Sequence, residues 1–245
     1  MNWTNYASSL TIFSVIIAAS PVAAGETGWF ETDGGNVRIV TEPYAPGADF
    51  VRGIIDIDLL PGWRTYWRDP GSGGIPPSIQ VNDLDVVRST QIDFPVPNWI
   101  SSKYGSYAGY EEPVQIPFTF RTNGQATERN IEERVFIGIC KDIFIPAFND
   151  FKVTLIEANG SIRSAWVFAN EFDNLPKAPE TMGISISTDL QANQVLKVSV
   201  EGTEENLALF VSGQQGEQFT RPKLVSTGAG TSIFEVGPAL SLIHI

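Results

Sequence analysis

The chain carries its clearest structural signal at Val51-Arg52-Gly53-Ile54-Ile55-Asp56-Ile57-Asp58-Leu59. Apolar residues or glycine occupy every odd position of this run, and charged residues occupy positions 52, 56 and 58. Successive side chains of a β-strand point to opposite faces, so this period of two predicts a strand with one face in a core.

Three further runs show the same alternation, and turn residues separate them. The runs are Ile116–Phe120, Ile131–Ile139 and Phe151–Leu155. The turn signals are Ala45-Pro46-Gly47, Leu60-Pro61-Gly62, Gly71-Ser72-Gly73-Gly74 and Asn123-Gly124. Many short strands with glycine and proline between them predict an antiparallel β-sandwich over residues 25–158.

The pattern changes after this segment. Residues 164–175 have the composition of a short helix, which Ser164 would cap and Pro176 would stop, so residues 159–180 are predicted to form a helix and a linker. Strand-like runs then return at Ile184–Ile186, Leu196–Val200, Leu207–Val211 and Ile233–Val236. Residues 181–245 are therefore predicted to form a second β module. It is small for a sandwich, and a truncated module is one interpretation of its size.

The two ends of the chain look unlike the rest. Residues 1–24 carry no charged side chain, and their apolar stretch Leu10–Ala19 is shorter than the ~20 residues that span a bilayer. Val22-Ala23-Ala24 suits a signal peptidase, which predicts a signal peptide at 1–24 and export to the periplasm; a buried N-terminal helix is the alternative. Residues 240–245 read as a translated sequencing adapter, or else as an ordinary apolar tail, and His244 receives no role.

Composition excludes several classes of function. The 16 basic and 28 acidic residues give a net charge of −12, which argues against nucleic-acid binding because phosphate contacts need clustered Lys and Arg. One cysteine excludes an intrachain disulfide and a multi-thiolate zinc site, and one histidine argues against poly-His metal sites and a Ser-His-Asp triad. No metal, cofactor or nucleic-acid partner is predicted.

Aromatic residues concentrate in two segments. Gly62-Trp63-Arg64-Thr65-Tyr66-Trp67-Arg68 precedes a Gly/Pro loop that lacks the Lys-Ser/Thr of a phosphate loop, and the second segment spans residues 99–110. One interpretation is aromatic packing beneath a long loop. The other is a rigid surface for a protein or an extended peptide, because Trp, Tyr and Arg concentrate at binding hot spots. The candidate binding residues are Trp63, Tyr66, Trp67, Tyr107 and Tyr110.

Paired carboxylates occur at Glu111-Glu112 and Glu132-Glu133. Adjacent strand residues point to opposite faces, which argues against acid/base pairs at these places. Both pairs are therefore predicted to be solvated or strand-edge charges.

The lone thiol lies in Gly138-Ile139-Cys140-Lys141-Asp142-Ile143-Phe144-Ile145-Pro146. A single cysteine at a strand end is usually a small buried hydrophobe. An inert packing role is therefore one interpretation of Cys140.

The aromatic run 62–68, Gly74-Ile75-Pro76-Pro77 and Cys140–Pro146 together resemble the N-terminal periplasmic domain of DsbD/ScsB-type thiol:disulfide interchange proteins, over about residues 28–158. The resemblance implies an immunoglobulin-like sandwich with two cysteines near a strand end. It also implies that this dithiol takes electrons from a membrane-embedded partner and passes them to periplasmic oxidoreductases, as a protein-disulfide reductase component would.

The chain departs from that family at one position. The family pattern is Cys-x-x-x-Cys-x-Pro; Cys140 matches its first cysteine, and Phe144 occupies the second. In an extended segment these two Cα atoms would lie ~13 Å apart, so residues 141–143 must turn back if the family geometry holds. Dithiol exchange needs a second thiol to resolve a mixed disulfide, so Cys140, the candidate catalytic residue, cannot turn over alone.

Three functional hypotheses follow. The first is an interaction module of periplasmic thiol–disulfide exchange or cytochrome maturation with an incomplete redox pair. The second is a working reductase component that takes its second thiol from a partner chain or from residues lost at the C-terminus. The third is a structural or binding sandwich in which Cys140 is buried and inert.

Overall fold

The structure is a computed structural model that describes residues 25–43, 47–82, 85–102, 105–124, 130–155, 168, 170–192, 194–202, 207–213 and 218–238. The predicted signal peptide and the predicted adapter-derived end lie outside these residues. Fifteen strands are described: β1 (Phe30–Thr32), β2 (Gly35–Thr41), β3 (Phe50–Leu59), β4 (Arg64–Tyr66), β5 (Ser78–Val81), β6 (Val87–Ile92), β7 (Asn98–Ser102), β8 (Gly105–Tyr110), β9 (Val114–Thr122), β10 (Asn130–Cys140), β11 (Phe144–Thr154), β12 (Ser185–Leu190), β13 (Leu196–Glu201), β14 (Lys223–Gly228) and β15 (Thr231–Val236).

Two antiparallel sheets built from β1 to β11 pack face to face. The first has the strand order β1-β2-β3-β9-β6. The second has the order β11-β10-β4-β8-β7, and β5 pairs with the same long strand β10. The predicted immunoglobulin-like antiparallel sandwich is confirmed.

The core lies between these sheets and follows the alternation in the sequence. Ile55 and Ile57 of β3 are buried in the same hydrophobic cluster as Ile137 and Ile139 of β10. Gly53 shares this face, and a Cβ there would overlap the ring of Phe118, which packs directly on the backbone. Removing these apolar faces from water is the main stabilising contribution to the sandwich.

One carboxylate lies inside this core. Glu133 of β10 is 0% exposed, whereas Glu132 beside it is exposed and lies 4.0 Å from the Lys152 ammonium. The prediction of solvated charges is thus wrong for Glu133, because odd positions of β10 face the core. Among the described residues, neither of its carboxylate oxygens has a hydrogen-bond partner, and burial raises the pKa of the group to about 8.

A third antiparallel sheet follows the sandwich in the chain, with the order β12-β13-β15-β14. Residues 170–173 before it are helical, the Asn174 amide donates to the Asn170 carbonyl, and Pro176 follows. The predicted cap Ser164 lies outside the described residues. Strands near 184–186, 196–200 and 233–236 are confirmed, while the domain boundaries stay a prediction.

The fourth predicted strand of this module, Leu207–Val211, is absent. Residues 207–213, here called the strap, form no strand, and the sequence-based prediction is wrong at this point. Apolar strap side chains pack on two different clusters: Leu207, Leu209 and Val211 pack against the third sheet, and Phe210 packs against the sandwich core. The alternation of apolar residues in the strap therefore comes from packing against the sandwich on one side and the third sheet on the other, and not from strand pairing.

The sandwich and the third sheet are held together by aromatic contacts. Phe210 stacks on Trp99 with ring centroids 5.1 Å apart and meets Trp67 edge-on at 5.8 Å. The Trp99 indole Nε1–H donates to the Leu209 carbonyl at 3.1 Å. Within the described ranges, no helix is long and apolar enough to cross a membrane.

Candidate functional site

Cys140 lies at the end of a tight β-hairpin. Strands β10 and β11 pair antiparallel, with Cys140 directly opposite Phe144 and Gly138 opposite Pro146. Residues 141–143 form the exposed turn between them. The backbone therefore reverses between the two positions of the family's cysteine motif, and their Cα atoms are cross-strand neighbours, roughly 4.5–5.5 Å apart.

Proline 146 also indicates how this pair is hydrogen-bonded. Strand β11 is the edge of its sheet, and a proline within a sheet is placed with its nitrogen toward the open side. Pro146 and Gly138 are then a non-hydrogen-bonded pair, and so are Phe144 and Cys140 two positions away. Side chains approach each other most closely at such pairs.

The thiol is half-buried in a small cluster on the outer face of the sheet. Cys140 packs against Tyr66, Ile100 and Tyr107, and these three side chains are buried. The ring of Phe144 lies 5.9 Å from that of Tyr66, which in turn lies 5.2 Å from that of Tyr107. We call Cys140, Tyr66, Ile100, Tyr107 and Phe144 the Cys140 cluster.

A cation lies on the other side of the thiol. Arg64 of β4 is the register partner of Cys140, so β10 places the cysteine between Arg64 and Phe144. The Arg64 guanidinium donates from Nη1 to the Tyr107 hydroxyl at 3.1 Å. Arg64 is thereby held beside the thiol on the outer face of the sheet.

Burial dominates the acid–base behaviour of the two tyrosines. It raises the pKa of Tyr66, and a hydrogen-bond interaction with Cys140 raises it further. Burial also raises the pKa of Tyr107, against the opposing effect of Arg64. Both phenols are therefore neutral hydrogen-bonding groups at pH 7.

A glycine-rich segment lies over the cluster. Residues 71–77, here called the glycine loop, approach so closely that a Cβ on Gly74 would overlap the Tyr66 ring. Asp69 anchors the start of this loop, because its Oδ1 accepts the Gly71 amide at 3.1 Å. The other oxygen, Oδ2, accepts the Gly213 amide of the strap at 3.4 Å, so one carboxylate joins the loop to the strap.

The structure separates the five predicted binding residues into two groups. Tyr66 and Tyr107 lie in the Cys140 cluster, whereas Trp67 and Tyr110 are buried in the main core and Trp63 packs against it. All but Trp63 are buried, which agrees with aromatic packing beneath a loop. Their role in binding stays a prediction.

An exposed apolar surface beside the thiol was not predicted from the sequence. Ile143 in the turn is 69% exposed, Phe144 36% and Phe148 59%. Phe144 and Phe148 share the outward face of β11, and Phe148 lies 4.9 Å from the Phe136 ring on β10. The sequence does carry a signal for this surface. Phe144 and Phe148 are apolar residues at even positions of β11, whose odd positions face the core. We call Ile143, Phe144 and Phe148 the hairpin surface.

The arrangement defines a class of protein: an antiparallel sandwich that presents a thiol at a β-hairpin, between an arginine and an aromatic ring and beneath a glycine loop. The family model described as "Thiol:disulfide interchange protein DsbD, N-terminal" matches residues 42–155, and this segment is a domain of that family. The DsbD-type N-terminal domain that the sequence motifs predicted is thus found in residues 42–155.

The crystal structure of the N-terminal periplasmic domain of ScsB from Proteus mirabilis has a similar fold. The two chains share 22% sequence identity with a TM-score of 0.71, and the match covers 88% of this chain and 85% of that one. The similarity therefore extends beyond the family segment into the third sheet. No curated protein sequence matches the chain.

Proposed function

We propose that the chain is a periplasmic interaction module of thiol–disulfide exchange, in which Cys140 forms a mixed disulfide with a cysteine of a partner oxidoreductase. The family of residues 42–155 and the periplasmic domain with a similar fold support this assignment, and the predicted signal peptide is consistent with it. The observation that carries the proposal is the position of Cys140, half-buried between the Arg64 cation and the exposed hairpin surface.

The chemistry available to one thiol is a reversible exchange. The Cys140 thiol loses its proton to solvent, and the thiolate attacks one sulfur of a partner disulfide. A new S–S bond forms, and the second partner sulfur leaves as a thiolate. Attack by that thiolate on the mixed disulfide restores both proteins, so no electrons are transferred overall and the complex is held transiently.

Arg64 and the hairpin surface have separate tasks in this exchange. Arg64, the register partner of Cys140, places a positive charge beside the reacting sulfur. The hairpin surface supplies apolar contacts to a partner, because Phe144 and Ile143 are exposed beside the thiol. Phe144 contributes no resolving thiol, so the mixed disulfide is released only by the partner or by a third thiol.

The test compares a small and a large probe of the same thiol. The small probe is Ellman's reagent; the large one is a thioredoxin-fold protein with a single active-site cysteine, activated as its thionitrobenzoate disulfide. Release of thionitrobenzoate should occur with both probes in the native chain and with neither in Cys140→Ser. Ile143→Asp and Phe148→Asp should slow the large probe several-fold and leave the small one unchanged.

Two outcomes would overturn the proposal. A native thiol that reacts with neither probe until the chain is unfolded would make Cys140 a packing residue. Equal rates for the large probe with the native chain and with both surface variants would remove the docking role of the hairpin surface. Sustained catalytic turnover in the presence of a dithiol partner would instead support the reductase hypothesis.

A further inference from the structure

A cavity of about 430 Å³ lies where three segments of the chain meet. Residues 93–97 after β6 form one wall, Leu175 and Pro176 of the linker form a second, and strap residues 208–210 form a third. Trp67 contributes to the lining from the sandwich. Its volume is in the range of small-molecule sites, which occur preferentially at such junctions.

The cavity is separate from the Cys140 cluster. Tyr66 and Trp67 are consecutive residues, yet Tyr66 belongs to the Cys140 cluster and Trp67 to the main core. Consecutive residues along a strand direction point to opposite faces of a sheet. The cavity lining shares no residue with the Cys140 cluster, so a ligand there goes beyond the proposed function.

The walls are apolar and already formed. Phe210 is held edge-on to Trp67 by its stacking on Trp99. Two carbonyls of the walls are satisfied within the protein: the Tyr110 hydroxyl donates to the Pro95 carbonyl at 2.8 Å, and Trp99 Nε1–H donates to that of Leu209. The body of a ligand would therefore meet rings, prolines and aliphatic groups.

Two charged side chains line the cavity, and they differ in how they are engaged. Asp93 accepts a hydrogen bond from the Gln91 amide Nε2 at 2.7 Å. Arg68 lies over the ring of its neighbour Trp67, with its guanidinium carbon 4.9 Å from the ring centroid, and has no carboxylate within 4.0 Å among the described residues. The available charge is therefore positive, in a chain whose net charge is −12.

We propose that this cavity binds a small amphipathic monoanion, with an apolar body against Trp67 and Phe210 and its anionic head on Arg68. The Asp93 carboxylate disfavours a second negative charge on the ligand. The net negative charge of the chain repels polyanions. A ligand with a single negative charge is therefore favoured, because Arg68 supplies the local complementary charge.

Dodecanoate is the probe, and dodecanol is its neutral counterpart of the same length. Isothermal titration of the full chain should show one dodecanoate site. Arg68→Gln should weaken dodecanoate binding about three- to tenfold, as expected for loss of an exposed charge-assisted contact, and leave dodecanol binding unchanged. Arg88→Gln is the matched control, since Arg88 is also exposed but lies on β6 away from the cavity.

Filling the cavity provides the second arm. Ala208 is exposed on the strap and Val96 is exposed on the opposite wall, so Ala208→Trp or Val96→Trp should block dodecanoate without disturbing a buried group. Circular dichroism of each variant checks the fold, and either folded variant suffices. Binding that is absent in the native chain, insensitive to Arg68→Gln, or retained in the filled variants would overturn the proposal. A second result would also overturn it: the native chain sediments as a dimer, a filled variant sediments as a monomer, and neither binds dodecanoate. The cavity would then be a contact surface between two copies of the chain.

Discussion

Cys140 and Phe144 are directly opposite each other across the β10–β11 hairpin. The ring of Phe144 therefore stands where a second thiol would lie within disulfide distance of Cys140. A disulfide needs Cα atoms roughly 4.4–6.8 Å apart, and non-hydrogen-bonded cross-strand pairs fall in this range.

We accordingly predict that Phe144→Cys forms a disulfide with Cys140 under mild oxidant. Loss of the ring contact with Tyr66 should lower the free energy of unfolding of the reduced form by about 1–2 kcal/mol, because Phe144 is more than a third exposed. Thiol counting and intact mass measure the bond. Phe148→Cys is the control: it faces Phe136, four positions from Cys140 along the strand, and should keep two free thiols. Two free thiols in folded, oxidised Phe144→Cys would contradict the hairpin geometry.

Glu133 predicts a pH dependence of stability. Its pKa is about 8 in the folded chain against an ordinary value of 4.5, so the folded state binds the proton more tightly than the unfolded state does. Stability from this group is complete below pH 4.5 and falls as the pH rises toward 8, by about 4–5 kcal/mol in total.

The measurement for Glu133 is denaturant unfolding of the native chain and of Glu133→Gln at pH 5 and pH 8.5. The two should be similarly stable at pH 5, and the variant should be the more stable at pH 8.5. Glu132→Gln is the control, because Glu132 is exposed. Its free energy of unfolding should match that of the native chain at both pH values. Parallel pH profiles for Glu133→Gln and the native chain would show that the carboxyl has an ordinary pKa.

Asp69 predicts a coupling between the strap and the thiol. Asp69→Ala removes the acceptor for both the Gly71 and the Gly213 amides, so the glycine loop should open more often over the Cys140 cluster. We expect about 1–2 kcal/mol of destabilisation and a several-fold faster reaction of Cys140 with Ellman's reagent. Asp58→Ala, at an exposed position of β3, should leave the rate unchanged. An unchanged rate in Asp69→Ala would mean that the loop does not limit access to the sulfur.

The aromatic contacts of Phe210 are expected to determine how firmly the third sheet is attached to the sandwich. Phe210→Ala removes one stacked and one edge-on aromatic contact and should cost about 2–3 kcal/mol. Calorimetry should then resolve an early transition of the third sheet ahead of the sandwich. Leu190→Ala is a control in the same sheet, since that side chain is 69% exposed. A single unshifted transition in Phe210→Ala would contradict the prediction.

The sandwich could be predicted from the sequence because its signal is local. The alternation in residues 51–59 marks a buried face without knowledge of any partner strand. Sheet order could not be predicted, since pairs such as β3 with β9 join positions about sixty residues apart, and nothing within either strand specifies the other. The strap was mistaken for a strand because two packing partners on opposite sides produce the same period of two.

The site was predicted only as far as its motif reaches. The family resemblance locates the hairpin through Cys140, Phe144 and Pro146. The structure shows that residues 141–143 form its turn. Glu133 was misjudged, although it shares the parity of Ile131 and Val135 on β10 and could have been assigned to the core face. The juxtaposition of Arg64 with Cys140 depends on a pairing of distant strands and left no trace in the sequence.

Pro146 has a consequence for how the chain meets other proteins. Edge strands commonly recruit a foreign strand through their free backbone groups, which leads to sheet extension and, when unchecked, to polymerisation. At Pro146 this edge has no amide hydrogen to offer, two residues from the hairpin end. A strand added at this edge would lose one backbone hydrogen bond beside Cys140, which favours recognition of a partner by side chains and weakens the edge as a template for aggregation.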